Sequence, residues 1–250
     1  RRQRQMCIRD SDNVNRINHW EFDMGSRTVV ATFGEGCYFA GYDVALPTEY
    51  AYKSKSEGGI WEEGDLRRDE SIRYDFTYLG ITPTEVSWGA DELDPHIKKY
   101  EDERTDQFNG NLANEWYSGK NFIVLRYADV LLCYAECLNE LGETGEANTV
   151  VNQVRARAWG GTLPNEMAWN YGQDEFRVQI MDERIRELCF EGWRRMDLIR
   201  TGKFVELIKE RNPWAKKSGT IKEFHMRWPI PDTEIKNNSD ISEEDQNPGY

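Results

Sequence analysis

The sequence predicts a mainly α-helical protein, with a tetratricopeptide-like helical hairpin, further helices, long loops and a few short strands. Three observations lead to this fold class. Residues 125–158 carry apolar side chains at helical spacing in two runs. A short, glycine-containing connection separates those runs. A second helical pattern, with charged residues three and four apart, occupies residues 175–200.

The hairpin is the element with the clearest signal. Its first helix has one apolar face, made of Leu125, Ala128, Leu132, Ala135 and Leu138. Its second helix repeats the pattern with Ala147, Val150, Val151, Val154 and Ala158. Gly142 follows the first run, where a left-handed residue would end the helix. The connection through residues 143–145 is so short that it predicts antiparallel neighbours, a helix pair of tetratricopeptide type.

The residues before the hairpin predict shorter elements. The β-branched content of Thr28–Phe33 indicates a strand. Thr48 is placed to cap a short helix that runs to Lys53. Alternation over Ser71–Leu79 predicts a second strand. The charges of residues 65–69, DLRRD, are interpreted as a structural ion-pair cluster rather than a catalytic set.

After the hairpin, Asp174 is expected to cap a helix from Glu175 to about Phe190. Gly192 interrupts this pattern, and a short helix over 193–200 follows. Residues 213–218 are interpreted as a loop. Residues 232–250 carry few apolar anchors, so on composition alone this tail is predicted to be disordered.

Charged residues recur at steps of three and four through both helical regions. This spacing favours ion pairs within a helix and between helices. Since a partly buried charge network is costly unless every member is paired, we interpret it as a device that fixes one packing arrangement. The predicted network comprises Arg126, Glu136, Glu183, Arg184, Glu187, Glu191, Arg194, Asp197 and Arg200, with Asp129 and Arg155 as further partners.

Composition excludes some classes of function. The net charge of −13 argues against nucleic-acid binding, which needs a basic face. The chain has 45 acidic residues, so pairs of carboxylates occur throughout it and do not by themselves indicate glycoside hydrolysis. The five cysteines form no disulfide framework; Cys133 and Cys137 are interpreted as buried free thiols, with two soft metal ligands as the alternative. We therefore expect no catalytic residue, no metal site and no cofactor.

Three ordered motifs resemble the SusD/RagB family. They are RYADVLLCYAECLNELG at 126–142 with NQVRARA at 152–158, then ERIRELCFEGWRRMDLIRTGKF from Glu183, and WPIPDTEIKNN from Trp228 with QNPGY at the end of the sequence. The resemblance implies a lipoprotein exposed at the surface of the outer membrane. Such a protein would bind glycan without catalysis and deliver it to a SusC-like TonB-dependent transporter. Peptide in place of glycan, or a tetratricopeptide-type adaptor for a protein partner, are the alternatives.

Members of that family are roughly twice as long, so residues 12–250 resemble a C-terminal region. The secretion signal and the lipid anchor would then lie in a part absent from this chain. Residues 1–11 are basic and lack any apolar period, and we interpret them as a non-native or artefactual stretch.

The aromatic residues supply the candidate ligand contacts. A sugar ring can stack its C–H face on a flat ring while its hydroxyls bind polar side chains. The candidates are the aromatic residues on predicted loops, namely Tyr38, Tyr42, Trp61, Trp116 and Tyr117. For any single ring, the alternative is packing in the core.

Overall fold

The computed structural model describes residues 23–83, 95–109, 118, 120 and 123–250. The chain divides into two compact units, Arg1–Trp193 and Arg194–Tyr250. Helices dominate both units, as the fold class predicted. Within the described ranges, no helix has both the length and the apolar character that a bilayer crossing requires.

In the first unit, six helices and two strands are described. The helices are α1 Arg27–Phe33, α2 Glu49–Tyr52, α3 Arg67–Ser71, α4 Tyr127–Glu140, α5 Thr144–Ala158 and α6 Gln173–Leu188. The strands are β1 Ile72–Arg73 and β2 His96–Ile97. Single turns of 3₁₀ helix occur at Lys55–Glu57, Glu103–Thr105, Gln107–Asn109 and Asn165–Met167.

The helical hairpin is confirmed as α4 and α5. The small and apolar residues of the predicted faces are buried, among them Leu132, Ala135, Ala147 and Val151. Leu125 is the exception, because it precedes α4 and is 39% exposed. Gly142 has φ of 88°, so the residue without a Cβ takes the left-handed position that ends α4. Helix α6 packs against both members of the hairpin.

Helix α6 begins at Gln173, with Gly172 rather than Asp174 at its N-cap position. It buries Phe176 and Ile180 as a periodic apolar face requires. It also buries four charged side chains, which are Glu183, Arg184, Arg186 and Glu187. Buried charge on this scale needs partners from other elements.

The predicted strand over Ser71–Leu79 is only two residues long. Ile72 pairs with Ile97 and Arg73 with His96 in an antiparallel ladder. Beyond Arg73, the carboxylate of Asp75 accepts the backbone N–H of Thr77 at 2.8 Å. This local turn takes the chain out of the ladder.

The strand prediction for Thr28–Phe33 was wrong, because these residues belong to helix α1. The hydroxyl of Ser26 accepts the backbone N–H of Val29 and so caps the helix. Ser26 also forms a parallel bridge with Ala40. A Cβ on Gly25 would lie 2.2 Å from the carbonyl oxygen of Ala40, so this close approach requires glycine.

In the second unit, four helices are described: α7 Arg194–Arg200, α8 Phe204–Arg211, α9 Pro213–Ser218 and α10 Asp232–Asn237. Helix α9 corrects the prediction of a loop. The side chain of Asn212 accepts the backbone N–H groups of Trp214 and Ala215, and Pro213 occupies the first turn, where its missing N–H costs nothing.

The tail is ordered, against the prediction from composition. Gln246 exchanges two hydrogen bonds with the backbone of Ile230, one through its side-chain oxygen and one through its nitrogen. The hydroxyl of Tyr250 donates to the carbonyl of Arg227 at 2.9 Å. Polar side chains therefore tie down a segment that lacks apolar anchors.

The prediction of buried thiols was wrong for Cys133 and Cys137, which are exposed, while Cys37 and Cys189 are buried. Both exposed thiols lie on the outer face of α4, one turn apart. The same face exposes Tyr127, Val130 and Tyr134. Helix α4 is thus apolar on its outer face as well as on the face that packs against α5.

Candidate functional site

A buried network of ion pairs joins the loop before α3 to helices α5 and α6. Arg67, at the start of α3, lies at its centre. Its guanidinium donates to Asp65 at 2.6 Å, to Glu183 at 2.7 Å and to Glu187 at 3.0 Å. One cation thereby links an acidic residue of its own loop to two successive turns of α6.

Glu183 is fully enclosed in this network, with a side chain that is 0% exposed. Besides Arg67, it accepts hydrogen bonds from Arg155 at 2.9 Å and from Arg186 at 2.8 Å. Burial alone would raise the pKa of Glu183. The three guanidinium groups outweigh burial and hold its pKa well below the usual range.

Glu187 and Glu191 extend the network by one and two turns. Arg126, immediately before α4, binds both carboxylates. Glu187 also binds Arg157, and Glu191 binds Lys99. The hairpin is therefore tied to α6 by charge as well as by apolar packing.

The remaining residues of the predicted network lie elsewhere. Arg184 binds Asp129 of α4 at 2.9 Å. Asp197 and Arg200 form a separate pair within α7, at 3.0 Å. Glu136 on α4 and Arg194 at the start of α7 are half-buried.

A cavity of about 570 Å³ opens beside the network. Its charged walls include Arg67, Lys99, Arg126, Glu187 and Glu191. Each of these side chains is paired with another member of the network. The charged side chains of the cavity wall therefore pair with one another, and this pairing suits a structural role for the network.

The carboxylates of the network are poorly suited to glycoside hydrolysis. That reaction needs two acids in different protonation states, one of them a proton donor. The neighbouring arginines lower the pKa of Glu187 as well as that of Glu183, although burial opposes them in both. Both groups are thus held ionised, and neither is poised to donate a proton.

We expect the free energy of unfolding to decrease as the pH falls below about 4.5, near the ordinary pKa of glutamate. Glu183, Glu187 and Glu62 all have lowered pKa values in the folded state, each despite an opposing effect of burial. A lowered folded pKa stabilises the protein above the unfolded pKa, and this contribution is lost as the pH falls through the folded pKa.

Urea denaturation at pH 7 and pH 4 measures this loss. Raising the salt concentration is the control, since it should change the result little when the pairs are buried. Equal free energies at the two pH values would contradict the assignment.

A second candidate site is an aromatic cluster on the first unit, formed by Phe33, Tyr38, Phe39, Phe76, Tyr78 and Phe108. Tyr78 is its hub, with ring centroids 5.5 Å from Phe33, 5.6 Å from Phe39 and 5.7 Å from Phe108. Phe39 and Phe76 are buried, whereas Phe108 is 48% exposed. The cluster therefore runs from the core to the surface.

Polar and charged side chains contact the rings of the aromatic cluster, and one of them, Asp106, is fully buried. The hydroxyl of Tyr78 donates to the carboxylate of Asp106 at 2.5 Å, and burial together with Asp106 raises the pKa of Tyr78. Arg73 lies over the ring of Phe39, at 4.2 Å from its centroid, and donates to the hydroxyl of Tyr38. The ring of Phe108 is the exposed surface of this cluster on which the apolar face of a ligand can stack.

The structure places the predicted ligand contacts in different settings. Tyr38 belongs to the aromatic cluster and is half-buried, and Tyr42 is half-buried nearby in the chain. Trp61 is only 1% exposed, and its indole N–H donates to the carbonyl of Ala51 at 2.7 Å. This burial argues against ligand contact, so Trp61 is not retained as a candidate. Trp116 and Tyr117 lie outside the described residues.

Tyr78 and Phe108 were not among the sequence candidates. Tyr78 falls in the run that was predicted as a strand, and Phe108 stands alone in a polar stretch. The packing of three distant segments brings them to Tyr38, which no local pattern signals. Among the described residues, no group of three or more His, Cys, Asp or Glu is placed to hold a metal ion.

Comparisons with known proteins give a consistent result. Residues 17–250 match the model of the SusD family. SusD-like protein P38 of Formosa agariphila is 41% identical over 155 residues, which cover 60% of this chain and 28% of that protein. The starch-binding protein SusD of Bacteroides thetaiotaomicron is 28% identical over 159 residues, which cover 62% of this chain and 26% of that protein.

Among solved structures, surface glycan-binding protein A from Bacteroides fluxus has a TM-score of 0.59 and 25% identity, covering 86% of this chain and 42% of its own. The chain spans between 25% and 41% of the length of the curated relatives it matches. The properties of those whole proteins therefore reach beyond the part that is aligned.

Proposed function

The chain belongs to the SusD family, and from this premise we propose that it binds glycan without catalysis. Two relatives support the proposal by what they are named for: one is a starch-binding protein and the other a surface glycan-binding protein. In this proposal the protein works at the outer surface of the cell. It passes its ligand to a SusC-like TonB-dependent transporter in the outer membrane.

The exposed part of the aromatic cluster is the proposed glycan contact. Phe108 offers a ring that is 48% exposed, and Tyr78 and Tyr38 stand behind it. A pyranose would lay its C–H face on the ring of Phe108, and the fully buried Asp106 would hold the hydroxyl of Tyr78 behind that ring. Tyr42 is retained as a proposed neighbouring contact, since it follows Tyr38 on the same loop.

A binding role also suits the ion-pair network. Capture followed by release calls for modest affinity and a fixed scaffold, with no proton donor and no metal. The network holds the hairpin on α6 through ionised, mutually paired groups. Its proposed role is therefore support for the loops that carry the aromatic rings.

The exposed apolar residues of α4 favour a protein partner in addition to the glycan. Tyr127 is 60% exposed and Val130 46%, on a helix whose other faces pack against α5 and α6. Large exposed apolar side chains grouped on one face are typical of a contact surface. An adaptor role without glycan remains the alternative function.

We expect Phe108→Ala to weaken glycan binding about five- to tenfold, since a ring contact of this kind contributes ~1 kcal/mol or somewhat more. The measurement is retardation of the protein in native gels that contain starch, mannan or xylan. The matched control is Tyr127→Ala, which removes an exposed ring from α4 and should leave retardation unchanged.

Two results would count against this proposal. If none of the polysaccharides retards the unmodified chain, glycan binding by this chain is refuted. If the unmodified chain is retarded and Phe108→Ala is retarded equally, the aromatic cluster is not the contact.

A further inference from the structure

Two tryptophans are largely exposed among the described residues, and both belong to the second unit. Trp214 is 73% exposed and Trp228 is 72% exposed. Trp214 lies in the first turn of the short helix α9. Trp228 lies in an extended segment, and other residues fix both its ring and its backbone.

Arg195 supports the indole of Trp228 from one face. The guanidinium carbon lies 4.4 Å from the ring centroid. Arg195 is itself fixed, since it donates to the carbonyl of His225 at 2.7 Å and lies over the buried ring of Phe204. The cation is therefore part of the packing of this unit, and the indole that it supports is still 72% exposed.

The backbone around Trp228 is also held in place. The side-chain amide of Asn247 donates to the carbonyl of Trp228 at 2.7 Å. Ile230 lies two residues after Trp228, and its backbone N–H and carbonyl both pair with the side chain of Gln246, at 2.8 and 3.0 Å. A ring that is fixed before binding loses little conformational entropy when a ligand stacks on it.

A second exposed ring is tied to the same segment. Tyr250 is 47% exposed, and its hydroxyl donates to the carbonyl of Arg227, the residue before Trp228. Its ring packs edge-on against Phe224, with centroids 5.1 Å apart. Two exposed aromatic side chains, those of Trp228 and Tyr250, are thus held at residues 227–228, together with the carboxamide of Asn247 and the guanidinium of Arg195.

We infer that Trp228, supported by Arg195 and accompanied by Tyr250, forms a second carbohydrate contact on this unit, separate from the aromatic cluster. The inference rests on the proposed glycan-binding function. Fixed aromatic rings beside amide and guanidinium groups match a neutral saccharide, which presents C–H faces and hydroxyls. Residues 194–250 carry 11 Lys and Arg against 10 Asp and Glu, a balance that does not favour a polyanionic ligand. One indole and one phenol offer far less area than the roughly 800 Å² per partner of a stable protein interface.

The test uses the full chain and the polysaccharide among starch, mannan and xylan that retards it most in native gels. Trp228→Ala is expected to reduce retardation about three- to tenfold, and Trp228→Phe, which keeps a ring, should retain most of it. Trp214→Ala removes an equally exposed indole and is the matched control. Circular dichroism verifies that each variant is folded.

Retardation of Trp228→Ala equal to that of the unmodified chain would overturn the inference. Equal losses for Trp214→Ala and Trp228→Ala would overturn it too, since exposed apolar area alone would then explain binding. A fall in molecular mass on Trp228→Ala with unchanged retardation would instead assign the ring to an interface between copies. Loss for Phe108→Ala without loss for Trp228→Ala would retain the aromatic cluster and refute only the second contact.

Discussion

Replacement of Glu183 by glutamine is expected to lower the free energy of unfolding by about 3–5 kcal/mol, the usual cost of removing one partner from a buried ion pair. Glutamine preserves the shape of the side chain but removes its charge. Arg67, Arg155 and Arg186 all donate to Glu183. These guanidinium groups would stay buried without their shared counter-charge.

Urea denaturation at pH 7 measures this effect. Glu140→Gln is the control, because Glu140 pairs with Arg177 at the surface, where the two side chains are 50% and 43% exposed. Exposed pairs contribute little, so the control should behave as the unmodified protein. A Glu183→Gln variant as stable as the control would show that the buried network does not hold α6 to the hairpin.

Trp61→Ala is expected to destabilise the protein by about 3–5 kcal/mol, as large-to-small changes of buried tryptophan do. The indole packs with Ile60, Ile72 and Cys189 in one apolar cluster. Its N–H donates to a backbone carbonyl, so truncation leaves both a void and an unpaired acceptor. Thermal or urea denaturation measures the loss.

Trp214→Ala is the control for this experiment, since an exposed ring should change stability by no more than ~0.5 kcal/mol. The experiment also separates the two roles of Trp61 that its sequence leaves open. If Trp61→Ala lowers stability but leaves glycan binding per folded molecule unchanged, Trp61 is a core residue. Unchanged stability with loss of binding would restore it as a ligand contact.

The helical half of the fold is readable from the sequence because its information is local. The apolar period over residues 125–158 predicts both helices. Gly142 marks the end of α4, since only glycine takes φ of 88° without strain. Where two local signals compete, the sequence misleads: β-branched residues favoured a strand over Thr28–Phe33, and the cap at Ser26 made it a helix.

The exposure of the α4 thiols shows a related limit. When a helix has apolar residues on two faces, its sequence does not show which face packs against the neighbouring helices. Cys133 and Cys137 fall on the outer face, because the faces with Leu132 and Ala135 pack inward. Periodicity predicts a helix, and packing alone decides which thiols are reachable.

The sequence by itself determined the helical hairpin, the family and the presence of many charges at pairing distance along α6. The tertiary structure alone decided which charges meet. Arg67 reaches Glu183 across 116 residues of chain, and Tyr78 meets Tyr38 and Phe108 from separate segments. The reason is physical: a helix is set by contacts three and four residues apart, whereas a buried ion network or a ring cluster forms only when distant segments fold together.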